Sequence, residues 1–131
     1  MSRGTVGSFS ENIKSYDIHT YYHVDNKESR AEAYNLREKL QKDFAEEIAA
    51  GKLNVFKMWD KPIGPHITAM WECDFKSPEV FAKIVPWYQL NHGKLSVLIH
   101  PHTPKGDLID HTQFALWLGD KLPLILDVLV D

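Results

Sequence analysis

Residues 95–119 read LSVLIHPHTPKGDLIDHTQFALWLG and join the last predicted strand of the chain to a dense group of histidines. The segment opens on β-branched and aliphatic residues after a glycine turn, which predicts a strand that ends at His100. Two prolines follow, and neither has the backbone N–H that a strand interior requires. His100, His102 and His111 therefore fall at the end of a strand, where scaffolds commonly present functional side chains.

The composition of the 131-residue chain is typical of one soluble globular domain, with 44% hydrophobic and 25% charged residues. Its formal charge of −3 and the lack of a basic run argue against a nucleic-acid partner. The single cysteine, Cys73, cannot form an intramolecular disulfide and is expected in the core. No apolar run is long enough to span a membrane and no signal-peptide core is present, so we expect a cytoplasmic protein without membrane contact.

Outward from residues 95–119, the patterns predict alternating strands and helices. Residues 1–15 are polar and predict a loose tail, and residues 16–131 are expected to form a single domain. From their β-branched and aromatic content, strands are predicted at residues 16–24, 53–59, 66–75 and 95–100.

Two amphipathic helices are predicted between these strands. The first begins at a capping box formed by Ser29 and Glu32, carries an apolar stripe at three- and four-residue spacing, and ends at Gly51. The second begins at Ser77 with a proline at its first helical position. Pro86 is expected to kink or end this second helix, because it removes a backbone donor.

The order strand, helix, strand, strand, helix, strand is that of the ferredoxin-like fold, a βαββαβ arrangement of the α+β class. Its single antiparallel sheet has the strand order 4-1-3-2 and carries both helices on one face, which leaves the other face open. Because this face and the apolar residues 122–130 both require cover, we expect a homodimer, built as a dimeric α/β barrel. Residues 114–117 predict a further short helix that Gly119 stops.

Alternation along the strands places candidate metal ligands on the open face. In this strand order the start of strand one approaches the ends of strands three and four, so His19 is expected near Glu72 and His100. His66 opens strand three and is expected nearer His23. Two histidines and a carboxylate on one side of a sheet are the arrangement that non-haem iron uses. The candidate metal ligands are therefore His19, His66, Glu72 and His100.

These residues also have simpler structural explanations. His19 can be a hydrogen-bonded sheet histidine and His66 the cap of a turn, whereas Glu72 is costly to bury without a partner. Asp110 and His111 are either a helix-start acid beside a surface histidine or a carboxylate that orients a proton-transferring imidazole.

Four sets of residues carry a family resemblance. They are residues 18–22 (IHTYY), 64–66 (GPH), 95–101 (LSVLIHP), and 110–112 (DHT) followed by 115–119 (ALWLG). In this order and spacing they resemble the DOPA 4,5-dioxygenase family, the small fungal and bacterial group. The resemblance runs from about residue 16 to residue 124 and implies a dimeric ferredoxin-like fold. It also implies extradiol cleavage of a catechol such as L-DOPA by a non-haem Fe(II) centre with O₂ as co-substrate.

The histidines of the family correspond here to His19, His66, His100 and His111. As a mechanistic hypothesis, we expect His19 and His100, with either His66 or Glu72, to hold the iron, for which zinc could substitute in the isolated protein.

The catalytic residues expected on the same basis are Asp110, His111 and Tyr21. His111, oriented by Asp110, would take the second phenolic proton or protonate the reaction intermediate, and Tyr21 or Tyr22 would line the pocket.

Two other functions are compatible with the same sequence. A ferredoxin-like dimer can be a non-catalytic binding module, in which case the histidines would be turn and interface residues. A metal-dependent isomerase or lyase could use the same face, and activity without oxygen would distinguish it from a dioxygenase.

Overall fold

The computed structural model describes residues 8–129, which form one antiparallel sheet with helices packed on it. The strands are β1 (Ser15–Tyr22), β2 (Leu53–Val55), β3 (Ala69–Phe75), β4 (Val97–His102) and β5 (Leu116–Leu118). The helices are α1 (Lys27–Asp43), α2 (Ala45–Ala49), α3 (Pro78–Asn91) and α4 (Asp107–His111), and a 3-10 turn covers Leu126–Val128.

The strands lie in the order β2-β3-β1-β4-β5, and each neighbouring pair is antiparallel. The first four reproduce the ferredoxin-like order predicted from the sequence, counted from the opposite edge. The prediction of an α+β fold with one antiparallel sheet is therefore confirmed. β5 extends the sheet beyond β4 and was not predicted.

One face of the sheet, which we call the helix face, packs against α1 and α3. Ile18, Trp71 and Ile99 point to this face from the three central strands, and none is more than 1% exposed. They form one core with Leu40 of α1 and Ile84 of α3. The Trp71 indole donates a hydrogen bond to a carbonyl oxygen of α1 at 3.1 Å, so its buried N–H is satisfied.

The start of α1 differs from the predicted capping box. Asn26 is the N-cap, and its side chain accepts a hydrogen bond from the Ser29 backbone N–H at 3.0 Å. The Ser29 hydroxyl accepts a hydrogen bond from the His23 N–H. The Glu32 carboxylate accepts one from the Lys94 N–H, which belongs to the segment between α3 and β4. The predicted box was wrong because Asn26 caps the helix three residues earlier.

The helical segment that begins with α1 breaks once, between α1 and α2, before it ends. Phe44 has φ −115° and separates α1 from α2, while its ring is buried in the core of the helix face. Gly51 follows α2 with φ 73°, a left-handed conformation that a residue without Cβ adopts without strain. The predicted stop at Gly51 is confirmed.

α3 begins where the sequence predicted and runs further. The Ser77 side chain caps it by accepting backbone hydrogen bonds from the first turn. The helix continues through Pro86 to residue 91 and does not end at the proline. Tyr88 anchors the turn beyond the proline, because its ring is fully buried and its hydroxyl lies 3.0 Å from the Thr20 hydroxyl. This packing offsets the backbone hydrogen bond that Pro86 cannot make.

β4 does not stop at His100, as the sequence predicted, but runs through Pro101 to His102 and stays paired with β1. β5 pairs only with residues 97–99 of β4. Pro101 thus lies beyond the part of β4 that has strands on both sides, where a proline is tolerated. Because side chains alternate along a strand, His102 lies on the same face as His100.

The helix predicted over residues 114–117 was wrong. The helix forms earlier, as α4, and residues 116–118 form β5. Four residues cannot stabilise a helix alone, whereas the edge of β4 offers unpaired backbone groups to a strand. Gly119 ends β5 with φ 71°, and a Cβ there would lie only 2.9 Å from the Leu95 carbonyl oxygen.

The opposite face of the sheet, which we call the histidine face, is partly covered by the chain itself. Tyr21, Met70 and Leu98 form a small apolar cluster on this face. Side chains from the loop after β2 and from the end of the chain pack on the cluster: Trp59, Ile63, Ala115, Trp117, Leu122 and Leu124. The expectation of a fully open face was therefore wrong.

The predicted N-terminal tail lies partly outside the described residues, which exclude residues 1–7 and 130–131. Within the described part, Phe9 packs on Tyr16 with ring centroids 5.1 Å apart and contacts the helix-face core. Among residues 8–129, no helix combines the length and the apolar character needed to cross a bilayer.

Candidate metal centre

Four buried histidines meet on the histidine face. His19 comes from β1, His100 from β4, His111 from α4 and His66 from the loop that precedes β3. The ring centroids of His19 and His66 are 4.2 Å apart, and those of His100 and His111 are 3.8 Å apart. None of the four is more than 8% exposed. The structure thus brings together all four histidines that the sequence singled out.

The pairing of β1 with β4 sets the closest of these contacts. His100 lies opposite Asp17 in the register, and His19 lies opposite Leu98, so the two histidines are diagonal neighbours on one face. Their Nε2 atoms are 3.1 Å apart. This is the proximity expected from the predicted strand order.

Backbone carbonyl groups orient two of the rings. The Nδ1 atom of His100 lies 3.1 Å from the Pro101 carbonyl oxygen, and that of His111 lies 2.7 Å from the Asp107 carbonyl oxygen. Because a carbonyl oxygen only accepts, Nδ1 carries the hydrogen in each ring and Nε2 carries a lone pair. This is how proteins fix the tautomer of metal-binding histidines.

The resulting donor set fits a divalent transition metal ion. One ring nitrogen each from His19, His100 and His111 can be chosen so that all three lie within 4.8 Å of one another. Three imidazole nitrogens on one side of a site suit Zn²⁺ or Fe²⁺ and leave further positions for other ligands. The residues present therefore fit the metal that the family resemblance implies.

Burial keeps His19, His66 and His100 in the neutral form that a metal ion requires. Desolvation, followed by the neighbouring histidines, lowers the pKa of His19 well below its ordinary value and that of His66 to about 4. The pKa of His100 is also lowered to about 4 by desolvation and by His111. The unprotonated ring nitrogens of these three imidazoles can thus bind a metal ion near neutral pH without first losing a proton.

Tyr21 and His66 form a hydrogen-bonded pair at the side of the group. The Tyr21 hydroxyl lies 2.6 Å from Nδ1 of His66. Burial raises the pKa of Tyr21, so the phenol keeps its proton. The ring of Tyr21 stacks on Trp117 of β5, with centroids 5.8 Å apart and planes 20° from parallel. His66 is therefore held beside His19, whereas the sequence suggested a position nearer His23.

Glu72 lies behind His19, at its other ring nitrogen. It is the direct register partner of His19 in β3, and its Oε1 is 3.7 Å from Nδ1 of His19. That Nδ1 is buried and makes no hydrogen bond to the described residues. Desolvation, then Asp17 and Asp74, raise the pKa of Glu72 to about 7. The expected approach of Glu72 to His19 is observed, on the side away from His100.

Asp110 does not orient His111, which the sequence had suggested. Its two carboxylate oxygens accept hydrogen bonds from the Thr103 backbone N–H at 2.8 Å and from the Thr103 hydroxyl at 2.6 Å. Asp110 thus fixes the loop between β4 and α4. The carbonyl of Asp107 takes its place on Nδ1 of His111.

The remaining histidines, His23, His92 and His102, differ in their contacts. His23 is exposed, and Nδ1 of His92 bonds the Leu95 carbonyl oxygen at 3.0 Å within its own turn. His102 lies 2.8 Å from an oxygen of Asp17. Sequence reasoning assigned no role to Asp17, although alternation with His19 along β1 was a signal that placed it on this face.

Comparison with known proteins agrees with this geometry. The model of the Dopa 4,5-dioxygenase family matches residues 16–128. The chain belongs to this family. The matched range contains every histidine of the site, and it confirms the resemblance found in the sequence motifs.

Two curated relatives of this DOPA 4,5-dioxygenase family member are longer proteins. An "Uncharacterized 21.2 kDa protein" of Botryotinia fuckeliana is 40% identical over 120 residues, covering 87% of this chain and 62% of that protein. The "DOPA 4,5-dioxygenase" of Amanita muscaria is 32% identical over 114 residues, covering 87% of this chain and 49% of that enzyme. The chain therefore spans between about half and three-fifths of these relatives.

A solved structure also matches this family member. The crystal structure of a "putative dioxygenase" from Nostoc punctiforme aligns with a TM-score of 0.73 and 33% sequence identity. The alignment covers 89% of this chain and 91% of that chain. The family match, the two relatives and the solved structure thus agree on the family to which this chain belongs.

Proposed function

We propose that this chain is an extradiol ring-cleaving dioxygenase that opens a catechol such as L-DOPA with non-haem Fe(II) and O₂. The observation that carries this proposal is the group of three buried imidazoles whose ring nitrogens lie within 4.8 Å of one another. Membership in the DOPA 4,5-dioxygenase family supports the reaction and the use of O₂.

In this proposal His19, His100 and His111 hold the iron. When bound, Fe(II) supplies a Lewis acid that lowers the pKa of the catechol hydroxyls and orders catechol and O₂ in adjacent positions. The assignment differs from the one expected from the sequence, since His111 replaces His66 and Glu72 as the third ligand. Glu72 lies at the ring nitrogen of His19 that faces away from the iron. It accepts a hydrogen bond from Nδ1–H of His19 once the two atoms move closer than their present 3.7 Å.

His66 and Tyr21 are assigned to proton handling. In this role Nδ1–H of His66 donates to the Tyr21 hydroxyl oxygen, so Nε2 carries the lone pair that receives a phenolic proton. This hydrogen bond positions the ring while the proton is held. In this role His66 takes the place that the sequence had suggested for His111.

The apolar cluster beside the histidines shields one side of the site. Tyr21, Met70 and Leu98 lie on the histidine face, each no more than 3% exposed, and Trp117 stacks on Tyr21. Their buried side chains keep bulk water away from the oxygen chemistry.

The test is anaerobic reconstitution with Fe(II), addition of L-DOPA, and then admission of air. We expect a yellow ring-opened product to form with matching oxygen uptake, since both atoms of O₂ enter the product. His100→Ala should abolish both signals because it removes one of the three metal-binding nitrogens. His23→Ala is the matched control, since it removes an exposed imidazole remote from the site and should leave turnover unchanged.

Other results would redirect the assignment. Full iron occupancy and activity in His100→Ala would contradict the ligand set. Stoichiometric iron without turnover of L-DOPA would keep the metal site and direct the search to other catechols. Turnover without oxygen would favour a metal-dependent isomerase or lyase. Neither metal nor turnover would favour a binding module. Metal analysis of the isolated protein would distinguish iron from zinc.

We also retain the homodimer as a proposal. The four histidines of the site all come from one chain. The apolar surface available for a second copy lies on and near β5 and at the chain end, and its exposed residues are Phe114, Leu116, Ile125, Leu126 and Val128. Light scattering at two concentrations would decide whether a dimer forms.

A further inference from the structure

Asp17 is a partly buried acid on the histidine face, within contact distance of the candidate metal ligands. It lies opposite His100 in the register of β1 and β4, and its side chain is 15% exposed. Its Oδ2 is 3.7 Å from Nε2 of His100 and 2.8 Å from Nε2 of His102. The same carboxylate groups with His100 and His102, and separately with His19 and Glu72, at distances that could hold an ion.

The contact between Asp17 and His100 lacks a donor. Nε2 of His100 carries a lone pair, because its Nδ1 hydrogen is directed to the Pro101 carbonyl oxygen. A carboxylate oxygen is also an acceptor. Two acceptors that face each other in a buried site repel, unless a cation lies between them.

Two of the distances suit ligands of one ion. Two ligand atoms at about 2.1 Å from a metal are separated by about 3.0 Å at a right angle and by about 4.2 Å when they are opposite. The separation of 3.1 Å between the Nε2 atoms of His19 and His100 lies in this range, and so does the 3.7 Å from His100 to Asp17. Among the described residues Asp17 forms no candidate group with His111, or with His19 and His100 together, so its carboxylate must shift towards them to share their ion.

We propose that Asp17 is the anionic ligand of the metal site and that His102 holds its carboxylate in place. The inference rests on the proposed function, because it assumes that the three histidines bind a divalent ion. Three neutral imidazoles leave the double positive charge of such an ion unneutralised, and one carboxylate ligand halves the net charge of the site. His102 donates its Nε2–H to Asp17 and therefore positions the ligand.

The extension of β4 through Pro101 makes this arrangement possible. It places His102 two residues beyond His100 on the same face, next to the β1 residue that His100 already opposes. A strand that ended at His100 would leave Asp17 without this partner.

The probe for the test is Co(II) alone, titrated into the whole metal-free protein under anaerobic conditions. Its affinity and its ligand-field absorption bands report the number and type of ligands without any turnover. Asp17→Asn should weaken Co(II) binding by about 100-fold or more and change the spectrum, since loss of an outer partner alone costs about 10- to 100-fold. Asp17→Ser is measured beside it, so that misfolding of one variant does not decide the result.

Asp74→Asn is the matched control. Asp74 lies directly opposite Asp17 in the register of β1 and β3, and its carboxylate accepts a hydrogen bond from Asn54 at 2.9 Å. The control removes the same charge from a neighbouring position that belongs to none of the candidate ion-binding groups among the described residues. We expect its Co(II) affinity to stay within about 3-fold of the parent.

His102 provides the second half of the test. His102→Phe removes the donor to Asp17 and should weaken Co(II) binding by about 10-fold or more. His102→Gln keeps an N–H donor and should restore most of the affinity. A purely structural role of His102 would not produce this recovery together with a recovered spectrum.

The outcomes separate the two proposals. Unchanged Co(II) affinity and spectrum in both Asp17 variants would overturn the role of Asp17 and leave the three-histidine site standing. Equal losses in Asp17→Asn and Asp74→Asn would reduce the effect to surface charge and would also overturn it. Absence of binding by the parent protein would overturn the proposed metal site and, with it, this inference.

Discussion

The two faces of the central sheet bury side chains of different kinds, and burial has a different consequence on each face. On the helix face, apolar residues such as Ile18 and Ile99 pack on the helices, and the buried Trp71 indole has a hydrogen-bond partner. On the histidine face, His19 and His100 are buried just as deeply, although burial opposes their charged forms. Burial on the first face stabilises the fold, whereas burial on the second holds polar groups ready for a ligand.

The comparison is sharpest within β1, where adjacent residues belong to different faces. Ile18 is 0% exposed in the helix-face core, and His19 is 3% exposed beside the other histidines. Similar burial should therefore have unlike consequences when each side chain is removed. The predictions below test this difference, from the largest effect to the smallest.

The largest effect is expected from the pair Ile18→Ala and His19→Ala. His19→Ala should reduce Fe(II)-dependent turnover to background and weaken metal binding by about 100-fold or more, since it removes a proposed ligand. Ile18→Ala should lower the free energy of unfolding by about 2–5 kcal/mol through lost burial and a cavity, while the metal affinity of the folded protein persists. Urea unfolding and metal titration on both variants measure the two losses.

Either of two results would contradict this distinction between the two faces of the sheet. If His19→Ala lost as much stability as Ile18→Ala in the metal-free protein, the histidine face would be part of the core in the same sense as the helix face. If Ile18→Ala lost metal affinity in its folded state, the two faces would be coupled through the strand.

A smaller effect is expected from pH, and only on the histidine face. The pKa of His66 is lowered to about 4 in the folded protein, against about 6.5 in an unfolded chain. Between these values the unfolded state binds more protons, so the contribution of His66 is fully present above about pH 6.5 and is lost as the pH falls towards 4. The slope from this residue reaches at most about 1.4 kcal/mol per pH unit.

The measurement compares urea unfolding of the metal-free parent and of His66→Gln between pH 4.5 and 7. The difference isolates His66 from Glu72, whose raised pKa of about 7 acts in the opposite direction. We expect the parent to lose stability relative to His66→Gln as the pH falls. Parallel curves for the two proteins would contradict the lowered pKa of His66.

The smallest effect concerns Cys73, a nucleophile buried on the helix face. The thiol is 0% exposed, and desolvation raises its pKa. We expect a thiol reagent to leave the native protein unmodified and to label one site per chain in denaturant. Rapid labelling of the native protein at the rate of a free thiol would mean that the helix face opens far more readily than its packing indicates.

Much of the fold could be predicted because its signals are local or periodic. Alternation in residues 16–22 separates His19 and Tyr21 from Ile18, and strand alternation follows directly from backbone geometry. The sequence order of strands and helices restricts the sheet to few topologies, which is why the order of the first four strands was correct.

The errors lie where a distant contact competes with a local signal. Residues 114–117 became part of a turn and a strand because the edge of β4 was available. Of the two outcomes expected at Pro86, a kink or an end, the end did not occur, because Tyr88 is anchored on Thr20. Asn26 took the cap that Ser29 was expected to supply, since two adequate caps stood three residues apart. In each case the decisive partner lies outside the local pattern.

The sequence by itself determined the class of the fold, the strand order and the set of histidines that could meet, because these depend on periodicity and chain order. Only the tertiary structure decided how those residues divide among roles. The Pro101 and Asp107 carbonyl groups orient His100 and His111, the Tyr21 hydroxyl binds His66, and Asp17 faces His100. The side of an imidazole that carries a lone pair depends on which acceptor its other nitrogen meets, and that acceptor is brought there by folding.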